Sequence, residues 1–371
     1  MADKKILAIN PGSTSTKIAV YLNNRVIFLK NIRHPPEELR KFKHISEQYE
    51  YRKEAILREL QHAEIDLSMI EAVVGRGGLL HPIRSGVYAV NERLKEDLRK
   101  GVMGEHASNL GGLISDDIAR SLPNAKAYIA DPVVVDEMED VARISGHPLF
   151  NRQSIFHALN HKAVGRAYAR LVNHQYEEMN LIIAHLGGGI SIAAHKQGRV
   201  IDVNQALDGE GPMSPERSGT LPAGQLIKLC FSGKYTYDEI KEMITGQGGF
   251  MAWFGTNNAY EIELLAADGD TKAKKIQDAM AYQIGKYIGA MATVLHGEVD
   301  AIILTGGLAH NTALVEYIKK MVSFIAPVII YPGEDEMHAL AMNGLRVLRG
   351  ELECMEYNES NMIKTDPFYE D

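Results

Sequence analysis

Cysteine is nearly missing from this 371-residue chain: there are two, Cys230 and Cys354, without metal-ligand spacing. Their scarcity excludes a disulfide framework and a thiolate zinc site, and both thiols are expected to be buried and inert. Positive charge is in deficit too. With 40 Lys and Arg against 48 Asp and Glu the formal net charge is -8, and no basic run exceeds a few residues. Neither nucleic acid nor an anionic membrane is therefore expected as a partner, because both reward clustered Lys and Arg. Apolar residues nowhere continue for the roughly 20 positions of a membrane span. The charged start MADKK runs straight into the short apolar stretch ILAIN, without the longer apolar core of a secretory signal, so the expected location is cytoplasmic. Low-complexity segments are also lacking.

What is present is a repeat. ILAINPGSTSTKIAVYLNNRVI (Ile6 to Ile27) slides without a gap onto NLIIAHLGGGISIAAHKQGRVI (Asn180 to Ile201), and seven of 22 positions are identical: Leu7/Leu181, Ile9/Ile183, Ile18/Ile192, Ala19/Ala193, Arg25/Arg199, Val26/Val200 and Ile27/Ile201. Asn23-Asn24 and Gln197-Gly198 each separate two apolar runs, as a tight hairpin requires. Each copy reads as strand, small-residue turn, strand, hairpin, strand. The length suits two domains, in agreement with the repeat.

Between the copies, Pro36 to Ala63 has the spacing of a surface helix or helical pair. A strand over Ala72 to Val74 stops at Arg76, a helix is expected at Ser108 to Leu122, and a buried strand ends at Asp131, where Pro132 blocks a helix. Another helix covers Ser154 to Asn173. After the second copy, Asp238 to Thr245 and one long stretch from Asn258 to His296 look helical. A strand at Ala301 to Leu304 meets a third glycine turn, and a last strand, Pro327 to Tyr331, leads to a terminal helix. Tyr357 to Asp371 reads as a polar, exposed tail.

Three turns have the chemistry to hold phosphate. Gly12 with Ser13, Thr14, Ser15 and Thr16 supplies hydroxyls and backbone donors, and Lys17 a point charge; an ordinary Ser/Thr-rich hairpin is the alternative. It does not fit GxxxxGK[ST], and a strand follows instead of a helix. Gly187, Gly188 and Gly189 follow a buried strand and imply a place that side chains must vacate, as for a polyphosphate passing close to the backbone. His185 beside them could donate to a phosphoryl group or be purely structural. TGGLAHN, Thr305 to Asn311, is the third turn. Arg76, between glycines at a strand end, and Arg217, in a Pro/Gly-bounded loop, present planar forks suited to phosphate or carboxylate, or are solvated surface charges. Asp131 and Glu336 could hold a hydrated magnesium ion or substrate, or serve as caps.

Together INPGSTSTK, HLGGGIS, RSGTLP and ILTGGLAHN resemble the acetate/butyrate kinase family, within the actin, Hsp70 and sugar-kinase superfamily, over essentially the whole chain. GRGGLLHPI, ADPVVVDEM, RISGHP, FHALNHKAVGRAYA and DGEGPMSPERSG are most similar to its butyrate branch. The resemblance implies an α/β fold of two duplicated RNase H-like (actin-like ATPase) domains with a cleft between them. Residues 1-160 would form the acyl side, completed by a C-terminal helix at about 337-371, and residues 161-336 the nucleotide side. Closure about hinges near 155-175 and 335 would exclude water. Asn10, Ser13, Ser15 and Lys17 match the family's first phosphate motif, and His185, Gly187, Gly188 and Gly189 its second, with His185 at the transition-state position. Arg76 and Arg217 match the pair on the acyl phosphate and the moving phosphoryl group, Asp131 the aspartate near the carboxylate, and Glu336 the magnesium-linked glutamate. Gly306, Gly307 and Asn311 match the adenosine motif. At Asp131 the surrounding ADPVVVD departs from the acetate kinase pattern FDTAFH.

The implied activity is reversible phosphoryl transfer from ATP to a short-chain fatty acid, giving ADP and an acyl phosphate, with magnesium. Butyrate or a branched relative is the expected acid; acetate or propionate is the alternative. A non-enzymatic actin-like or Hsp70-like switch would leave both arginines unexplained, and a sugar kinase would need polar contacts that the sequence does not display. The acyl pocket is expected among Leu79, Leu80, His81 and Pro82 and Val133 to Val135. A homodimer or larger homo-oligomer is implied by the family alone.

Overall fold

The computed structural model describes residues 3–365 and divides them into two compact units. Unit 1 comprises 3–136, 158–160 and 335–365; unit 2 comprises 137–157 and 161–334. Twelve strands run in chain order as β1 (Lys5–Pro11), β2 (Ser15–Leu22), β3 (Arg25–Arg33), β4 (Ile70–Arg76), β5 (Val87–Ala89), β6 (Lys126–Ala130), β7 (Asn180–Leu186), β8 (Ile190–Lys196), β9 (Arg199–Val203), β10 (Ala301–Gly306), β11 (Val328–Pro332) and β12 (Cys354–Glu356). Unit 1 has the sheet order β12-β5-β6-β4-β1-β2-β3, and unit 2 has β11-β10-β7-β8-β9.

Five strands correspond between these sheets. β1-β2-β3 is an antiparallel meander, as is β7-β8-β9, and the first strand of each continues into parallel neighbours, β4 then β6 and β10 then β11. β1 is buried from Ile6 onward and β7 from Leu181, the near-continuous apolar run of a strand covered on both faces. Helices Asn109–Arg120 and Glu336–Leu348 pack on β4 in unit 1. In unit 2, Thr271–Val294 packs on β7 and β8 and buries Met280, Ala281, Ile284 and Ile288.

Register corrects the gapless repeat. In both copies the second hairpin pairs identically at an offset of 174 residues, down to a bulge between Val20 and Tyr21 and between Ala194 and His195. The first hairpins differ by one residue: Pro11 pairs with Thr16 across a four-residue turn, whereas Leu186 pairs with Ile190 across a three-residue turn. A one-residue slip reverses which face each side chain takes, so one residue is missing from the second turn. Once that gap is placed, Asn10 occupies the ladder position of His185. Leu7/Leu181 and Ile9/Ile183 lose their equivalence, while the five identities in the second hairpin keep theirs. Gln197 and Gly198 both take positive φ, 50° and 81°, the geometry that matches strand twist in a two-residue loop, and Asn23 has φ 53°.

Several expectations change. The long helix at Asn258 to His296 is two helices, Ala259–Ala267 and Thr271–Val294, parted where Gly269 takes φ +95° and Asp270 caps the second through the Ala273 N–H. Cys230 is exposed and Cys354 half-buried, so neither thiol is sealed in a core. The terminal helix ends at Leu348 and is followed by β12. Tyr357 is fully buried, with its hydroxyl donating to Asp97 at 2.8 Å and accepting the His81 N–H at 3.2 Å, so the exposed tail does not start there; residues 366–371 lie outside the described residues. No helix among the described residues is long and apolar enough to cross a membrane.

Candidate active site

In unit 1 the candidate residues gather at the carboxyl ends of parallel strands, where open α/β sheets bind ligands. Asn10 closes β1, Arg76 closes β4 and Asp131 follows β6. Asn10 Nδ2 donates to Glu336 Oε2 at 2.5 Å, its Oδ1 accepts from Arg76 Nη1 at 3.4 Å, and Arg76 lies 3.2 Å from Glu336. Lys17 stands directly opposite Asn10 in the ladder and so shares its face. Glu336 opens the helix Glu336–Leu348, where the helix dipole favours a carboxylate. Arg76 is fixed by backbone contact: a Cβ on Gly75 would stand 2.3 Å from the Gly111 carbonyl oxygen, and one on Gly111 2.2 Å from that of Arg76.

Asp131 has another task in this structure. At φ +37°, its carboxylate accepts from Ser85 Oγ at 2.6 Å and the Gly86 N–H at 2.8 Å, bracing that turn. The two segments expected to bound the acyl pocket lie side by side, bridged at Ile83 and Val135. Leu79, Leu80, Val134 and Val135 are core residues, and His81, Pro82 and Val133 are the partly exposed members.

Sequence reasoning missed what holds the first turn. Ser13 and Thr14 are exposed, and Gly12 N–H donates to the Ser15 carbonyl at 2.7 Å. Behind them, Arg52 is completely buried. Its guanidinium donates to the carbonyls of Gly12 (2.7 Å), Ser13 (2.9 Å) and Ser15 (3.1 Å), to Thr16 Oγ1 (3.2 Å) and to Gln48 Oε1. With its carbonyls drawn inward, the turn keeps its hydroxyls outward. Burial lowers the Arg52 pKa to about 10, still charged at neutral pH. Thr16 Oγ1, accepting from Arg52, also lies 2.8 Å from His34 Nε2. Burial and then the Arg52 charge hold His34 down at about 4.

Unit 2 answers why its turn is glycine. A Cβ on Gly189 would lie 1.8 Å from Arg217 Nη1, so this glycine leaves the space that the Arg217 guanidinium occupies. Arg217 Nη1 also donates to the Ala206 carbonyl, and its backbone N–H donates to Ser214 Oγ, which in turn donates to the Gly188 carbonyl. Arg217 Nε is buried with no hydrogen-bond partner among the described residues, an exception to the pairing of buried donors. Burial pulls the guanidinium pKa down, and Glu216 partly restores it.

His185 closes β7 beside the turn, with Nε2 3.0 Å from Glu334 Oε1. Against its face lies His157, ring centroids 3.9 Å apart and planes 16° from parallel, a second imidazole that sequence reasoning passed over. Gly306 ends β10, the parallel neighbour of β7, at φ +88°, and its position is set by exchanged hydrogen bonds with Gly333. Space beside Gly307 is open. Asn311 caps the helix Thr312–Val322 through the Leu314 N–H and donates to Gln277, which gives its side chain a structural task.

Among the described residues no three His, Cys, Asp or Glu side chains gather as a cation cage. Magnesium keeps most of its waters and rides on phosphates, so one carboxylate such as Glu336 suffices to meet it.

The profile of the Acetokinase family matches residues 147–326. Butyrate kinase 2 of Clostridium acetobutylicum is 58% identical over 353 residues, 95% of this chain and 99% of the relative. Among solved structures, acetate kinase of Porphyromonas gingivalis superposes with a TM-score of 0.77 at 21% identity, covering 93% of this chain and all of that one. A propionate kinase of Francisella tularensis gives 0.72 at 19% identity, covering 92% and 98%. The α/β fold is thus the one these kinases share. By identity along nearly its full length, the chain belongs to the acetate/butyrate kinase family.

Proposed function

We propose that this protein is an enzyme that transfers the γ-phosphoryl group of ATP reversibly to a short-chain fatty acid, butyrate first among them, forming ADP and an acyl phosphate. The observation that carries the reading is 58% identity to a butyrate kinase over 95% of the chain. An oxygen of the carboxylate attacks the γ-phosphorus in line while the bond to the ADP oxygen breaks; little covalent chemistry falls to the protein. Arg76, joined by Asn10 and Lys17, faces the acid and phosphoryl oxygens. Arg217 and His185, with His157 stacked on it, bear the charge that grows in the transition state. The turn from Ser13 to Ser15 and the glycines 187–189 and 306–307 line the nucleotide's phosphates and adenosine, and Asp131 lies toward the carboxylate. Magnesium on the triphosphate would screen its charge and polarise the γ-phosphoryl group, and Glu336 would be the residue to hold it through its water shell.

The matching strand order of the two sheets supports descent of both units from one duplicated RNase H-like domain. A homodimer or larger homo-oligomer would need an apolar face. Unit 2 has such residues in the helix Ala223–Cys230, none of whose residues is buried, with Ile227 exposed in it and Phe231 exposed just past its end.

A hydroxylamine trap for acyl phosphate, run with C2 to C6 acids, tests the assignment. Each methylene accommodated is worth about 0.8 kcal/mol, roughly fourfold in kcat/KM. The expected optimum is butyrate or a branched neighbour; an optimum at acetate would remove the butyrate reading, and no trapped product with any acid would remove the activity.

A further inference from the structure

Behind the glycine turn of unit 2 a polar chain leads to His157 through four residues that the proposed reaction does not use. Tyr176 Oη lies 2.6 Å from His195 Nδ1, and His195 Nε2 lies 3.2 Å from His161 Nδ1. His161 Nε2 lies 2.9 Å from Ser191 Oγ, which is 2.9 Å from His157 Nδ1. Ser191, His161 and His195 are completely buried. Beyond these links, the His157 ring stacks on that of His185.

Proton counting makes these contacts one object. Each link takes one proton, and a neutral imidazole carries one N–H, so a histidine that accepts on one side must donate on the other. His161 and His195 are kept neutral by burial first, next by a neighbouring histidine, His185 for His161 and His161 for His195, and then by Lys162 for both and Arg166 for His195. Those cations are engaged elsewhere: Lys162 pairs with Glu137 at 2.6 Å, and Lys162 and Arg166 each lie over the Tyr176 ring. Glu334 is the charged group beside His185. The chain therefore points one way at a time. A phenol, with its pKa near about 10, is a stronger acid than a neutral imidazole N–H, so Tyr176 donates first. The remaining links then follow, His195 Nε2–H to His161, His161 Nε2–H to Ser191, and Ser191 O–H to His157 Nδ1.

We propose that Tyr176, His195, His161 and Ser191 are positioning residues that fix His157 as its Nε2–H tautomer and hold its ring flat on His185. The effect on turnover rests on the phosphoryl-transfer reading; the tautomer does not. Ser191→Ala removes the one hydroxyl that joins the chain to His157, and Ser191→Thr puts it back. In the free protein, 15N NMR of the histidine rings should show His157 protonated at Nε2 in the wild type, as a mixture in Ser191→Ala, and at Nε2 again in Ser191→Thr. With ATP and butyrate, kcat should fall about tenfold in Ser191→Ala with both KM values within twofold, and recover in Ser191→Thr. Tyr176→Phe deletes one oxygen at the far end, so it keeps the test alive if the alanine variant does not fold, and should disturb the His195 and His157 ring signals in the same sense. A wild-type His157 protonated at Nδ1, or an unchanged His157 spectrum in whichever variants fold, would overturn the proposal. A loss confined to KM would overturn it as well. If the wild type turned over no carboxylic acid, the reaction would be lost while the tautomer result stood.

Discussion

The two glycine turns occupy matching places in two sheets of the same strand order, yet an arginine does opposite things at each. Arg52 sits behind the turn of unit 1, takes three of its carbonyls and leaves the hydroxyls of Ser13 and Thr14 exposed. Arg217 lies against the turn of unit 2, on the face that Gly189 leaves bare, with Nε unpaired. One cation spends its donors on the backbone of its turn; the other keeps one donor without a partner among the described residues. A similar contrast marks the edges. Val26 and Ile27 of the repeated Arg-Val-Ile are exposed on β3, whereas Val200 and Ile201 are buried on β9, where the segment after Asp136 bonds to the strand through Glu139 and Glu137. Identical residues meet different fates because the insertions around each copy differ.

The comparison breaks most sharply at Arg217. Arg217→Ala should lower kcat more than 10²-fold with the thermal midpoint little changed, as expected of a group that stabilises transition-state charge. Near-normal turnover would move Arg217 to the structural side. Gly189→Ala should give a milder version of the same defect by displacing the guanidinium. Arg52→Met should do the reverse and lose stability first, by about 3 kcal/mol, since buried carbonyls without donors cost on the order of 1 kcal/mol each. A urea midpoint equal to wild type would show that the turn holds itself. Arg52→Lys should not rescue, because a point charge cannot span the same set of acceptors.

The smallest expected effect is on acid stability. His34 titrates at about 4 in the fold against the ordinary histidine value of 6.5, so the unfolded chain binds more protons between those limits. Its contribution is present above pH 6.5 and is lost as pH falls toward 4. His161 and His195, also held low, act in the same direction from unit 2. His34→Gln should therefore flatten part of the decline in thermal midpoint across that range and leave the rest; an unchanged slope would remove His34 from the account.

Patterns of local origin were legible in the sequence. The two-residue hairpins were readable because Asn23, Gln197 and Gly198 tolerate positive φ, and strands β4, β7 and β10 because apolar runs stop at Arg76, His185 and a Gly-Gly pair. The candidate residues at strand ends could be named from motifs. Their reasons could not. That Gly189 is small on account of Arg217, 28 positions onward, or that Arg52 serves Gly12, 40 positions back, depends on tertiary packing that no local pattern encodes. The one-residue gap between copies was hidden because apolar strand residues align equally well one step out of register. Tyr357 looked like tail because its neighbours are polar, whereas its burial depends on Asp97 and His81, both far off in sequence.

Where β4 meets the helix Asn109–Arg120, two main chains touch with no side chain between them, at Gly75 and Gly111. The guanidinium of Arg76 is thereby aimed from a seat made of missing atoms. A single methyl group at either glycine would be a wedge beneath the strand end, and turnover could fail while every group that does chemistry was still in the chain.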